Sequence, residues 1–167
     1  VLGGGNTAMD CARSALRAGA SRVTVAYRRS RHEMPAIAEE VQEAEHEGVV
    51  FQFLAAPVGF QGNGRVEGVV LAAVELGPPD DSGRRRPVVT ANHSVLACDA
   101  VLLALGQSAD TSMLPAGWSL DGGRVFRPGP QGEPEPLPVF AAGDLSTGDG
   151  TVTHAIGDGR RAATRVM

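Results

Sequence analysis

Apolar positions change period several times along the 167-residue chain, and each change marks an element. From Thr7 to about Ala18, Ala8, Ala12, Ala15 and Leu16 recur at helical spacing, and Gly19 supplies a stop. The small residues suit a helix lying close on a sheet. Arg22 to Tyr27 (RVTVAY) is β-branched and strand-like. Met34, Ile37, Val41 and Ala44 form the apolar stripe of a second helix. Pro35 falls in its first turn, and Glu39, Glu40, Glu43 and Glu47 face water. Gly48 ends it, and Val49 to Leu54 is the next strand. Counting Val1-Leu2 as a short first strand, the order β-α-β-α-β predicts an α/β fold with a parallel sheet and right-handed crossovers.

The rhythm then shifts. Arg65 to Leu76 is long and strand-like, Pro78 to Gly83 is a turn, and Arg86 to Thr90 returns. These predict an antiparallel β-meander inserted into the α/β unit. Asp99 to Leu105 (DAVLLAL) is a continuous apolar run, expected as a buried strand ending at Gly106. From Gln107 to Pro138 the chain is rich in Pro, Gly and polar residues, with a small strand pair near Gly123–Phe126. Val139 to Asp144 is a further buried strand ending in an acid, and Thr151 onward reads as a helix. Two segments follow: 1–107, three-layered and Rossmann-like, and 108–167.

Composition narrows the chemistry. Apolar residues make up 43% and charged residues 20%, a globular balance. No apolar run reaches the length of a membrane span, and no secretory leader opens the chain. A net charge of −4 argues against a general nucleic-acid binder. Cys11 and Cys98 form no CxxC pair, and the four histidines lack metal-ligand spacing, so a reducing, cytoplasmic setting and no metal are expected. All 15 basic residues are arginine, which excludes both a Schiff-base lysine and a Walker-type P-loop.

Candidate chemistry begins at the first glycines. Gly3-x-Gly5-x-x-Ala8 matches the G-x-G-x-x-G/A dinucleotide fingerprint. One glycine permits the tight turn, the second lets a pyrophosphate approach the backbone, and Ala8 lets the helix pack closely. The helix start then offers free N–H groups and a positive dipole end. Arg28 lies 20 residues past Ala8, where the ribose-reading residue is expected. An acid there would read the 2′-hydroxyl of NAD; an arginine suits the 2′-phosphate of NADP. The competing explanation is a solvated basic turn. Gly106 either permits a backbone approach to ligand or makes a plain strand-end turn. Asp144 either accepts ribose or ribityl hydroxyls or caps a helix. Arg84, Arg85 and Arg86 read as a solvated cluster in the meander turn.

Three stretches, GGGNTAMDCARSALRAGASRVTVAYRRSRHEMPA, VLLALGQ and VFAAGDLSTGDGTVTHAIGDGRRAA, closely resemble the glutamate synthase small (β) subunit family. The related amino-terminal region of dihydropyrimidine dehydrogenase belongs with it. The resemblance implies an NADPH- and FAD-dependent oxidoreductase whose NADP(H) domain (1–107) is inserted into its FAD domain, with 108–167 the returning part of that domain. It implies that Gly5, Asn6, Thr7 and Ala8 hold the pyrophosphate, that Arg28 and Arg29 read the 2′-phosphate, and that Ala104 and Gly106 lie near the nicotinamide. Asp144, Thr151, Val152 and Thr153 would touch FAD. Electrons would pass on to iron–sulfur centres and an electron-accepting partner subunit, with no nucleic acid and no membrane involved. The cofactors carry the chemistry, so no catalytic side chain is named. Family members carry an iron–sulfur segment and a first FAD motif ahead of this region; neither is here, and the chain is expected to be part of a larger protein. Two rivals remain: a nucleotide-binding module without activity, and a thioredoxin-reductase-like flavoprotein, which wants a CxxC.

Overall fold

Two residues, Val1 and Leu2, sit at the middle of the parallel sheet. Leu2 bridges Ala26 on one side and Leu103 on the other, both in parallel. Beyond Ala26, β1 (Thr24–Tyr27) pairs in parallel with β2 (Val50–Phe53), Thr24 opposite Val50 and Tyr27 opposite Phe53. The lateral order is therefore the 101–104 segment, Val1-Leu2, β1, β2. The computed structural model describes residues 1–79, 83–147 and 151–166 and forms two compact units, Val1–Gly106 and Gln107–Met167.

Side chains alternate across β1, and the two faces bury different partners. Val23 and Val25 join Ala8, Met9 and Ala12 of α1 (Asn6–Arg17) and Val41 and Ala44 of α2 (Ala38–His46). Ala26 joins Leu2, Ala55, Val69 and Leu71 on the opposite face. That second cluster belongs to an antiparallel meander of β3 (Ala55–Gln61), β4 (Gly68–Pro79) and β5 (Arg85–Ala97). Helices, parallel sheet and meander make the three layers of an α/β fold. Ala8 and Ala12 are completely buried, because a methyl group is all the space between helix and sheet admits.

Several expectations need correction. The second helix starts at Ala38, not around Pro35. Residues Arg31–Glu33 form a 3₁₀ turn instead. The N–H groups of Ala36 and Ile37 go to the Gly4 carbonyl at 3.1 Å and the Asn6 Oδ1 at 2.8 Å, so this segment is tied to the glycine loop. Glu40, Glu43 and Glu47 do not simply face water. They converge on Arg13 of α1, which is only 16% exposed, and Glu47 also accepts from Arg17. The meander is longer than expected: β5 has 13 residues, and β3 carried no clear signal. Pro78 and Pro79 belong to β4, Gly83 turns the chain at φ +76°, and residues 80–82 of the expected turn lie outside the described residues. DAVLLAL is not a buried strand. Among the described residues it pairs only through Leu2, on one edge, and Leu103 and Leu105 are each 65% exposed.

In the second unit, β6 (Ser119–Asp121), β7 (Arg124–Pro128) and β8 (Pro134–Phe140) form an antiparallel sheet centred on the buried Val125. The stretch VFAAGD does not end its strand in an acid. Strand β8 stops at Phe140 and is an edge strand with Val139 exposed; Asp144 opens a short helix, α3 (Asp144–Thr147), after Gly143 turns the chain at φ +70°. The last helix, α4, spans Val152–Val166; the Gly148–Gly150 lead-in lies outside the described residues. Asp158 on α4 accepts hydrogen bonds from the Gly143 N–H and the Ser146 hydroxyl, which fixes α3 against α4.

The Arg13 cluster joins α1 to α2 and makes a pH-dependent contribution. The guanidiniums of Arg17 and Arg13 hold the Glu47 carboxyl below its ordinary value of 4.5. A depressed carboxylate stabilises the fold above its unfolded pKa and loses that contribution as pH falls through the folded one. Arg13→Ala should lower the melting temperature at pH 7. The difference from the unaltered chain should shrink as the pH drops below about 4.5 and in molar salt, where exposed pairs are screened. Thermal melts across pH and salt check this; a pH-independent difference would assign Arg13 a packing role only.

Candidate functional site

The carboxyl ends of the parallel strands open into a cleft of about 540 Å³. Ligands in open α/β sheets bind where the strand order reverses, and here that point is Val1-Leu2. The chain leaves Leu2 directly into the glycine loop. Gly3 sits at φ +141°, and a methyl group on it would lie 2.1 Å from the Ala104 carbonyl oxygen. A methyl on Gly4 would lie 2.5 Å from two ring carbons of Tyr27. Both glycines are required by the protein's own packing.

Gly5 differs. Its φ of −91° and ψ of 179° suit any residue, and a methyl there would meet no protein atom within 4 Å. The space at Gly5 belongs to the cleft, which it lines together with Gly3, Gly4 and Thr7. Gly5 is also the N-cap of α1. No side chain caps that end, no acid lies in the first turn, and the first intrahelical bonds run from the Ala8 and Met9 N–H groups to the Gly5 carbonyl. The preceding N–H groups and the positive end of the dipole, worth about half a charge, therefore point at the cleft.

The far rim is basic. Arg28 and Arg29 line it from the end of β1, and Arg84 lines it from the start of the β5 arm of the meander. No carboxylate lies among the described lining residues. Arg28 is exposed and makes no ion pair or side-chain hydrogen bond among the described residues, whereas the Arg29 Nε–H donates to the Arg85 carbonyl at 2.9 Å. Past the end of β1, Glu33 is held in a capping box with Ser30. The Ser30 hydroxyl chiefly, then the Ser30 N–H and the charge of Arg85, keep its carboxyl below the usual range. Its lone pairs are thereby turned into the Arg31–Glu33 turn. Across the cleft, Ala104, Leu105 and Gly106 line the opposite wall.

Of the expected residues, the structure gathers Gly3, Gly5, Thr7, Arg28, Arg29, Ala104 and Gly106 around one cleft. Two others act differently. Ala8 is fully buried in the helix–sheet core and offers no surface to a cofactor. Asn6 spends its side-chain oxygen on the Ile37 N–H, strapping the α2 lead-in to the glycine loop. Sequence reasoning missed Arg84 and Tyr27. Tyr27 backs Gly4 and donates its hydroxyl to the Glu33 carbonyl at 2.9 Å. Arg84 reaches the cleft only because the meander folds back along the sheet, which no local pattern reports.

Asp144, Thr151, Val152 and Thr153 lie in the second unit and are all exposed. Thr151 precedes α4, and its hydroxyl oxygen accepts from the His154 N–H at 3.3 Å. Among the described residues no three His, Cys, Asp or Glu side chains group as a metal site, and no helix is long and apolar enough to cross a membrane. Cys11 and Cys98 are both free thiols.

Known proteins give this geometry a lineage. Over 169 residues and 99% of its length, the chain is 47% identical to the NADP(+)-dependent formate dehydrogenase subunit beta of Moorella thermoacetica. Over 178 residues and its full length, it is 40% identical to the glutamate synthase [NADPH] small chain of Escherichia coli K12. It spans 24% and 37% of those two relatives. The resemblance read from the three sequence stretches is thus found across the whole chain. Among solved structures, Mycobacterium tuberculosis FprA in complex with NADPH shares the fold at a TM-score of 0.73 and 19% identity, over 99% of this chain and 51% of that one. Thioredoxin reductase of T. acidophilum shares it at 0.70 and 24% identity, over 99% and 50%. Residues 1–159 match the family model for pyridine nucleotide-disulphide oxidoreductases. Fold and sequence agree, and the chain belongs to the pyridine nucleotide-disulphide oxidoreductase family.

Proposed function

We propose that residues 1–106 bind NADPH and that the larger protein of which this chain resembles a part is an NADPH-dependent flavoprotein oxidoreductase. One observation carries the reading: in a protein of net charge −4, a cleft at an uncapped helix start is lined by three arginines and no carboxylate among the described residues. Such a site selects a ligand with several phosphates. The names of the relatives, which specify NADP(+) and NADPH, support the same ligand.

Each group has a definable task. The N–H groups at the start of α1 take the pyrophosphate, and the missing side chain at Gly5 lets it lie against the backbone. Arg28 takes the 2′-phosphate. Ala104 and Gly106 bound the nicotinamide end and set how close its ring lies to the sheet. When bound, the dinucleotide supplies a hydride for FAD, with iron–sulfur centres and a partner subunit as the onward electron route. Asp144, Thr151, Val152 and Thr153 form the FAD-side surface of the second unit. Cys11 and Cys98 lie on opposite faces of the sheet, on α1 and beside the meander cluster, and offer no dithiol for a disulfide-reductase cycle.

Calorimetric titration with NADPH and NADH should show NADPH bound at least ~10-fold more tightly, as expected for one charge-assisted contact to the 2′-phosphate. Arg28→Ala should remove most of that preference while changing NADH little. Equal affinities in the unaltered chain would sink the NADPH assignment, and equal losses on substitution would sink the role of Arg28.

The glycines give a separate test. Gly5→Ala should stay folded, with at most a small drop in melting temperature because alanine caps a helix less well than glycine, and lose NADPH affinity about 10-fold or more, since its methyl meets no protein atom and enters the ligand's space. Gly4→Ala should lower the melting temperature through collision with Tyr27. Unchanged affinity in Gly5→Ala would show that no ligand lies against this backbone.

A further inference from the structure

The side chain of Asn6 is committed to a distant backbone group. Asn6 is the first residue of α1, directly after the N-cap Gly5, and its partner lies 31 residues away. The Asn6 Oδ1 accepts from the Ile37 N–H at 2.8 Å, and the Gly4 carbonyl accepts from the Ala36 N–H at 3.1 Å. We propose that Asn6 is a positioning residue for dinucleotide binding. It fixes the 33–37 segment against the glycine loop, so that the helix start and the cleft wall carrying Pro35 form one frame. The proposal rests on the NADPH reading above and adds a residue that supports the site without touching the ligand.

The frame follows from its anchors. At one end of the segment the Tyr27 hydroxyl donates to the Glu33 carbonyl at 2.9 Å, while the Tyr27 ring backs Gly4. At the other end stand the bonds from Ala36 and Ile37. Between them Met34 packs on the helix–sheet core and Pro35 lines the cleft. Pro35 has no N–H of its own, so its place in the wall depends on its neighbours' bonds. Gly4 and Asn6, which receive two of those bonds, flank Gly5, the glycine whose missing side chain leaves space in the cleft. Ile37 is the N-cap of α2, and an N-cap N–H has no intrahelical carbonyl to bond. Asn6 supplies the acceptor that α2 itself cannot. The residue type matters as well. A carboxylate at this position would accept the same bond and favour the helix start through the dipole, yet α1 has no acid in its first turn. The amide gives the acceptor without a negative charge beside the phosphate-facing N–H groups.

The experiment measures NADPH and NADH binding by calorimetry for the chain carrying Asn6→Ala or Asn6→Asp, at low and at molar salt, with circular dichroism and thermal melts on each. The Asn6–Ile37 bond is exposed and alanine is the better helix former, so Asn6→Ala should stay folded. It should weaken NADPH and NADH alike, by about 5-fold or more, and leave their ratio within about 2-fold, because the glycine loop serves the pyrophosphate that both share. Asn6→Asp keeps the acceptor and adds a charge. It should melt no lower than the unaltered chain and bind both dinucleotides more weakly at low salt. In molar salt it should return to within about 2-fold of the unaltered chain in the same buffer, while Asn6→Ala shows no recovery. Unchanged binding in Asn6→Ala overturns the proposal. A loss in Asn6→Asp that persists in molar salt also overturns it, by making the Nδ2 donors direct ligands of the dinucleotide. A loss confined to NADPH overturns it too, by placing Asn6 at the 2′-phosphate. Asn6→Asp, which keeps the strap, carries the test if Asn6→Ala does not fold. Failure of the NADPH reading is seen separately, in the unaltered chain, as no preference for NADPH.

Discussion

The first unit depends on the backbone pairing of one residue. Leu2 donates its N–H to the Leu102 carbonyl and accepts from the Ala104 N–H, both at 2.8 Å. Next to it, Gly3 donates to the Ala26 carbonyl at 3.1 Å and Ala26 to the Val1 carbonyl at 2.9 Å. These four bonds stitch two otherwise separate strand segments through a centre only two residues long. They also set where the glycine loop leaves the sheet. Gly3 then has to pass the Ala104 carbonyl so closely that no side chain fits. The cleft's two walls, β1 with its arginines and the 101–106 segment, are held apart at a distance set by this single short strand.

Layer packing follows from that centre. Alternation along β1 sends Val25 to the helices and Ala26 to the meander, so neither face of the sheet is left to water at this point. Alanines at Ala8, Ala12 and Ala44 bring both helices close. The acidic face of α2 is then consumed by Arg13 and Arg17 rather than left solvated. That pairing affects the site as well. Carboxylates gather between the helices and at Glu33, while the arginines of β1 and the hairpin keep the cleft basic within an acidic protein. Separating charge in this way gives an anion site a favourable field without a positive overall charge.

The second unit shows how a motif can be read correctly as a stretch and wrongly as geometry. VFAAGD was expected as a buried strand ending at Asp144. The strand stops four residues earlier, at Phe140, because Gly143 turns the chain at positive φ and Asp144 starts a helix. The carboxylate that organises this corner is Asp158, which ties Gly143 and Ser146 from α4. A residue 14 positions further along had no local signal to mark it.

Much of the first unit was legible in the sequence. Periodicity located α1, β1 and β2 within a few residues, and the glycine spacing with Arg28 placed the loop and the basic rim on one edge of a sheet. These features are local: a helix repeat, a turn that needs glycine, a count of residues from loop to strand end. Long-range contacts decided the rest. The start of α2 was set by Asn6 and Gly4, which claim the N–H groups a helix at Pro35 would have used. The expected DAVLLAL strand is reduced to the pairing of residues 102–104 with Leu2. The arrival of Arg84 beside Arg28 was set by the length and register of the meander. Sequence spacing encodes what a segment does with its own neighbours; which distant backbone group it bonds depends on the packed chain, and there the cleft acquired its third arginine.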